Sequence, residues 1–305
     1  MPLLIDRHIA EITGAASAQR LERIATVWSG YGEVVRYALR GADQPTVVVK
    51  HVVPGQGRGR SHDRKLRSYE VEQAWYRDWA ERCGSGCRVP ACLHHEHQRG
   101  ERLFVFEDLD AVGFPTRTER PSRLQLDTCL RWLAAFHATF LGERPRGLWK
   151  TGTYWHHKTR PDEHRAMARG PLRDGAAAID AKLSGARFLT IVHGDAKPAN
   201  FAFSRDGHRA AAVDFQYVGG GCGMKDLAYL LAGEALDTVE RGLDLYFTTL
   251  CAAAQGCDVH ALEAEWRALY PWAWADLQRF LVGWAPGWRF QRHEQASTRQ
   301  VLAAL

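Results

Sequence analysis

The sequence predicts an α+β fold in two lobes, a small β-rich lobe over residues 1–109 and a larger, mainly helical lobe over residues 110–305. Three observations predict it. Runs of β-branched residues with short turn signals crowd the first third of the chain. Helical periodicity dominates the chain beyond Leu109. Midway through the helical part, two short apolar segments, FLTIVHGD and RAAAVDF, flank a polar motif and read as strands that hold loops.

Taken in order, residues 1–24 carry an amphipathic pattern (Ile5, Ile9, Ile12, Leu21, Ile24) that predicts one or two helices. From Ala25 to Val53 the pattern turns to β: ATVWSGYGEVVRYALR reads as strand, glycine turn, strand, and TVVVKHVV as a third strand. PGQGRGRSHDRKLR is a Gly- and Arg-rich loop expected to be mobile. Leu66–Arg82 is helical and ends at the glycines of CGSGC. VPACLHHEH and RLFVFEDL form a hairpin about a QRGE turn, giving five strands and one main helix before Leu109. LQLDTCLRWLAAFHATFL is a strong helix, residues 145–175 are irregular, and the chain is helical again from Lys225.

Composition excludes several classes. Hydrophobic residues make up 46% and charged residues 25%, an ordinary globular balance. No apolar run approaches the roughly 18 residues of a membrane span, and the start, MPLLIDRHIAEI, has no signal core. The seven cysteines are scattered and odd in number, which points to a reducing compartment, the cytoplasm. A net charge of +5 suits anionic ligands such as nucleotides but is too weak for a nucleic-acid surface. Neither a membrane nor a nucleic-acid partner is expected, and oligomeric state leaves no signature.

The chemistry concentrates in His193-Gly194-Asp195-Ala196-Lys197-Pro198-Ala199-Asn200 and in Asp214-Phe215-Gln216. Phosphoryl transfer needs a carboxylate to orient the attacking hydroxyl, and oxygen ligands for a Mg²⁺ that neutralises phosphate charge. Asp195 is assigned as the base, and Asn200 and Asp214 as metal ligands. A lysine in the VVVK strand that points into a cleft needs a buried carboxylate partner. For Lys50 the helix after it supplies Glu70 or Glu72.

HGDAKPAN with VDFQ resembles the aminoglycoside phosphotransferase and choline kinase superfamily, whose fold is protein-kinase-like. The ending Asp-Phe-Gln and the phrase VFEDLDAVGF are nearest to its ecdysteroid-kinase-like branch. The resemblance covers about residues 25–235. It implies an ATP- and Mg²⁺-dependent kinase acting on a small alcohol. Lys50 would hold the α/β-phosphates, with Glu72 the better-fitting partner because Trp75 and Tyr76 come three and four residues after it. Lys197 would touch the γ-phosphate, the alternative being a solvated loop lysine. Glu107 and Leu109 would meet adenine through their backbone. Gly30 and Gly32 of SGYGEVVRY resemble a phosphate-covering loop, although Val35 stands where a third glycine belongs. Asp226 and His193 would be structural. Gln216 replaces a glycine of protein kinases, which argues against regulation by flipping that segment, and no Walker A motif is present.

Other clusters have plainer readings. Cys83, Cys87, Cys92, His94, His95 and His97 match no zinc-ligand spacing, and neighbours on a strand face opposite sides. Arg58, Arg60, Arg64, Lys65 and Arg67 could grip an anion, though a solvated linker is the simpler reading. His137 reads as a core histidine. The late aromatics (Trp266, Trp272, Trp274, Trp284, Trp288) read as helical core, or as a flat-walled pocket for a sugar, sterol or quaternary amine. Two rivals to the small-molecule kinase stay open: a catalytically silent binding module, and a protein kinase. The joint presence of Lys50, Glu72, Asp195, Asn200 and Asp214 weighs against the first. The short Asp214–Asp226 interval weighs against the second.

Overall fold

A computed structural model of the chain describes residues 3–27, 30–285 and 287–305; Trp28 and Ser29 of the glycine turn lie outside the described residues. Helix α1 (Leu3–Thr13) ends at Gly14, whose φ of +68° no helix continues. The helical pattern expected up to Ile24 is overturned: Ser17–Thr26 is strand β1. Leu21 and Ile24 are 52% and 47% exposed, so their spacing marks no buried helix face, and pairing with the next strand decides the backbone.

Strands β2 (Gly32–Arg40) and β3 (Thr46–Val52) lead into helix α2 (Arg60–Asp78), and β4 (Cys92–Gln98) and β5 (Glu101–Glu107) close an antiparallel sheet of order β1-β2-β3-β5-β4. Side-chain alternation gives the sheet two purposes. Val35, Tyr37, Val47, Val49, Leu103 and Val105 face α1 and bury Ile9 among them. The intervening Val34, Arg36, Val48, Lys50 and Phe106 face a cleft. Lys50, opposite Val34 and Phe104, therefore points to the cleft by parity.

The segment expected as a mobile loop up to Arg67 is corrected: α2 starts at Arg60 rather than Leu66. Gly59, at φ +98°, turns the chain into the helix, and Asp63 complements the helix dipole in the first turn. Arg60, Arg64, Lys65 and Arg67 thus stand on a helix. Tyr69, Val71, Trp75 and Tyr76 give α2 its buried face.

After β5 the chain is helical. Ser122 caps helix α3 (Arg123–Thr139) in a capping box with Gln125. The stretch expected to be irregular holds two short helices, α4 (Pro161–Ala166) and α5 (Pro171–Asp174), before α6 (Ala176–Ser184). Next come four three-residue strands: β6 (Thr190–Val192), β7 (Phe201–Phe203), β8 (Ala210–Ala212) and β9 (Gly219–Gly221). They pair as β6–β9 and β7–β8. Helices α7 (Met224–Leu230), α8 (Leu236–Ala253), α9 (Val259–Trp284) and α10 (Arg292–Ala303) complete the fold. One hydrophobic core runs from α2 into the helical part. At its centre Trp75 stacks on Phe215, with ring centroids 4.5 Å apart and planes 11° from parallel. No described helix is long and apolar enough to cross a membrane.

Candidate active site

β6 delivers the chain to His193-Gly194-Asp195, and the loop is pinned from beneath. Asp226 on α7 accepts the His193 N–H at 2.6 Å and the Gly194 N–H at 2.9 Å. Its position is set in turn by His137, whose Nε2 lies 3.1 Å away and whose Nδ1 meets the Tyr246 hydroxyl at 2.8 Å. His193 Nε2 donates to the Val213 carbonyl (3.1 Å), leaving Nδ1 to accept from the Asp195 N–H (3.3 Å). Burial pushes the His193 pKa down, so the ring is a neutral brace. Gly194 is required: at φ +82° any Cβ would lie 2.1 Å from the Tyr217 carbonyl oxygen.

Asp195 is held by the loop it starts. Asn200 Nδ2 donates to its backbone carbonyl and to Oδ2, both at 2.8 Å, and Lys197 Nζ lies 3.2 Å from Oδ2. Oδ1 is buried with no hydrogen-bond partner among the described residues. Burial lifts the Asp195 carboxyl to a pKa of about 7, with Lys197 opposing and Asp214 adding to the lift. Burial pulls the Lys197 ammonium down, but Asp195 and Asp214 outweigh it and leave its pKa raised.

Asp214 adopts the left-handed conformation, φ +68°, at the end of the β8 segment. Such backbone is uncommon for a side chain other than glycine and gathers at functional sites. Its Oδ1 is also buried without a partner among the described residues. Asn200 uses its amide nitrogen on Asp195, which leaves its carbonyl oxygen to face elsewhere. An orphaned carboxylate oxygen on Asp214 and an amide oxygen on Asn200, both residues lining the first cavity, are hard oxygen donors of the kind Mg²⁺ takes. The residues fit that ion.

Lys50 Nζ meets both Glu72 carboxylate oxygens at 2.7 Å, with Glu72 only 2% exposed. Glu70 lies elsewhere, reaching Arg67 and Arg102. Burial raises the Glu72 pKa, with Lys50 opposing.

Two cavities share this region. The first, about 630 Å³, is lined by Lys50, Glu72, Asn200, Asp214, Val34 and Val48, and reaches Glu107 and Leu109. The second, about 460 Å³, is lined by Asp195, Lys197, Arg64, Arg160, Tyr154 and Trp284, among others. Asp214 and Gln216 line both. The predicted site residues are therefore brought together, with two exceptions at the margins. Gly30 and Gly32 stand at the tip of the β1–β2 hairpin and line neither cavity, whereas Thr26, Val27 and Val34 beside them line the first. At the connection between lobes, the Glu107 N–H is already given to the Ala91 carbonyl (3.0 Å), while the Leu109 N–H has no partner among the described residues.

Lys197 is 39% exposed at its side chain, pairs with Asp195 and lines the second cavity rather than the first. His137 is a satisfied core histidine. The late aromatics divide: Trp266 and Trp274 are core, while Trp284 lines the second cavity. Among the described residues, the Cys83–His97 group does not converge; the ligand atoms that gather within 4.8 Å belong to His156, His157 and Asp180. Sequence reasoning missed Tyr154, Arg160, Tyr217 and Tyr229 in the second cavity. Tyr217 directly follows the Asp-Phe-Gln motif in sequence; only position in space identifies the other three.

Known proteins share this architecture. The sequence profile described as "Phosphotransferase enzyme family" matches residues 24–272, further than the resemblance read from the motifs. No curated protein matches the chain significantly. A candidate fructosamine-3-kinase from Thermobifida fusca shares 18% identity, covering 98% of this chain and 97% of its own, with a TM-score of 0.56. The macrolide 2'-phosphotransferase MphH from Brachybacterium faecium shares 16%, covering 98% and 97%, with a TM-score of 0.52. The amicoumacin kinase hAmiN, solved with AMP-PNP, Ca²⁺ and Ami, shares 12%, covering 92% and 86%, with a TM-score of 0.51. These likenesses bear on the fold, which is protein-kinase-like, with a sheet-built N-lobe and a helical C-lobe. With the profile matched over most of its length, the chain belongs to the phosphotransferase enzyme family.

Proposed function

We propose that the protein transfers the γ-phosphate of ATP, with Mg²⁺, to a hydroxyl of a small organic molecule. One observation carries this reading: two cavities meet at Asp214, one holding the Lys50–Glu72 pair and the other Asp195. The first suits the nucleotide, with adenine against Val34, Val48 and the Leu109 N–H and the triphosphate at Lys50. The second suits the acceptor. In this scheme residues 1–109 serve the nucleotide and residues 110–305 the catalytic loop and acceptor.

The acceptor hydroxyl oxygen attacks the γ-phosphorus and its proton passes to Asp195 Oδ1. The bond between the γ-phosphorus and the bridging oxygen breaks, and ADP leaves. Mg²⁺, held by Asn200 and Asp214, supplies neutralisation of the triphosphate charge when bound. Lys197 steadies the transferring group, and Glu72 keeps Lys50 in place. Preorganised position and charge do most of the work. The ending Asp-Phe-Gln and VFEDLDAVGF favour the ecdysteroid-kinase-like branch as the nearest within the superfamily. The seven free cysteines agree with a cytoplasmic setting.

A melting-temperature titration with ATP, with and without Mg²⁺, on the wild-type protein and Asp214→Ala tests the reading. We expect a Mg²⁺-dependent rise that Asp214→Ala loses. No rise at millimolar ATP would overturn it.

A further inference from the structure

The second cavity has a charge pattern that the transfer reaction does not use. Each of its carboxylates already has a role. Asp195 sits with Lys197 and Asn200, and Glu163 accepts from Arg160 at 3.1 Å through Oε1, its Oε2 being buried without a partner among the described residues. Asp214 is assigned to the metal. Arg64 is not matched in this way: no carboxylate lies within ion-pair distance of it among the described residues. Its contacts are the Ser61 hydroxyl (3.2 Å), the Thr159 carbonyl (3.5 Å) and the Tyr217 phenol. Its Nε is buried with no hydrogen-bond partner among the described residues.

A second group lining the same cavity has the same need. Tyr69, just over one turn of α2 further on, lines the cavity, is 0% exposed, and its hydroxyl has no partner among the described residues. A buried hydroxyl and a buried guanidinium N–H left without acceptors keep an uncompensated desolvation cost that a bound acceptor would relieve. Around them Lys65, Arg160 and Lys197 add positive charge to the cavity wall. Burial and then the nearby Arg64 and Arg160 charges push the Lys65 pKa down, the direction expected where cations outnumber anions. Aromatic rings line the same cavity: Tyr154, Tyr217, Tyr229 and Trp284.

We infer that the acceptor is anionic, a compact hydroxy compound whose carboxylate or phosphate is held by Arg64 and the Tyr69 hydroxyl while its hydroxyl meets Asp195. This deepens the proposed function and rests on its assignment of the second cavity to the acceptor. Arg64 presents a planar fork suited to either anion, Tyr69 donates one more hydrogen bond, and the aromatic rings pack the carbon skeleton. The phosphoryl transfer is unchanged: the acceptor's hydroxyl proton goes to Asp195, ADP leaves, and the anion takes no part in bond exchange.

The anion site could instead serve the triphosphate, and the test separates the two. The full chain is saturated with AMP-PNP and Mg²⁺, then titrated with inorganic phosphate, gluconate, sorbitol or glucosamine while melting is monitored. Phosphate and gluconate are expected to raise the melting temperature further, and sorbitol and glucosamine are not. Arg64→Gln, and separately Tyr69→Phe, should weaken the phosphate response at least tenfold in midpoint concentration and leave the AMP-PNP response within twofold. An equal response to glucosamine overturns the inference. So does a phosphate response that disappears once AMP-PNP is bound, or an Arg64→Gln protein that loses AMP-PNP binding itself. If AMP-PNP gives no response, the nucleotide reading fails, and phosphate titration of the unloaded protein still decides the anion site by its dependence on Arg64.

Discussion

Asp195 is placed where its ionisation matters twice. Burial holds its carboxyl at about 7, against 3.8 for an ordinary aspartate. The folded chain therefore keeps that proton longer than the unfolded one. The stability this group contributes is whole below pH 3.8 and is lost as pH rises through about 7. Asp195→Asn keeps a neutral side chain of the same shape. Its nucleotide-free melting temperature should fall less than wild type between about pH 4 and pH 7; parallel curves would remove the assignment. The same variant should lose roughly 10²–10⁴-fold in turnover if Asp195 is the base. Gly194 carries a sterner constraint, since its φ is positive and a Cβ would meet the Tyr217 carbonyl at 2.1 Å. Gly194→Ala should shift the loop, with unfolding in urea reporting a loss of about 1–3 kcal/mol. A wild-type midpoint and turnover would contradict that. That Asp195, Asn200 and Asp214 gather in one place was legible because they sit in two short motifs close in sequence. The raised pKa of Asp195 was not, because burial is a property of the surrounding core.

Helix α2 joins the two halves of the site. Glu72 reaches Lys50 on β3, while Trp75 and Tyr76, one turn on, pack against Phe215 of the Asp-Phe-Gln segment. Removing one partner of a buried ion pair leaves the other charge uncompensated, at about 3–5 kcal/mol. Glu72→Ala should therefore lower both the unfolding midpoint and ATP affinity. The double change Lys50→Met, Glu72→Leu removes both charges and refills the space. Its stability should return close to wild type while ATP affinity stays low, which calorimetry and urea unfolding read separately. A double variant no more stable than Glu72→Ala would show that the pair itself sustains the fold. The helix face of α2 was readable from its aromatics. Its first turns were not: Gly and Arg imitate a loop until Gly59 turns the chain into the helix. That made Arg64 and Lys65, named as a possible anion grip, read more simply as a solvated linker, and the irregular stretch hid Tyr154 and Arg160. Their grouping in the second cavity comes from tertiary packing, which leaves no local period.

At the scale of the whole molecule, the second cavity hangs on a buried ionic cluster between α7, α9 and the loop carrying Tyr154. Asp276 accepts from Arg279 at 2.9 Å and lies 3.4 Å from Lys225, all three 2% exposed or less. Arg279 also donates to the Trp155 carbonyl at 2.9 Å, tying α9 to the residue beside Tyr154. Burial pushes the Asp276 carboxyl up, but Lys225 and Arg279 outweigh it and hold it at about 2, below the ordinary 3.8. The stability of a depressed carboxyl is present above 3.8 and lost as pH falls toward 2. Asp276→Asn keeps the shape and removes the charge, leaving two buried cations facing a neutral amide. Unfolding in urea at pH 7 should show a loss of about 3–5 kcal/mol, the cost of an uncompensated buried charge. That gap should narrow as pH is lowered below about 4, because the unfolded wild-type chain then takes up a proton that the folded carboxyl still refuses. Loosening the Trp155 anchor should also weaken phosphate binding in the second cavity more than AMP-PNP binding in the first. A gap that stays constant from pH 7 to pH 3 would mean that the fold does not depress the Asp276 pKa, and the cluster would then hold the Tyr154 loop without help from that charge.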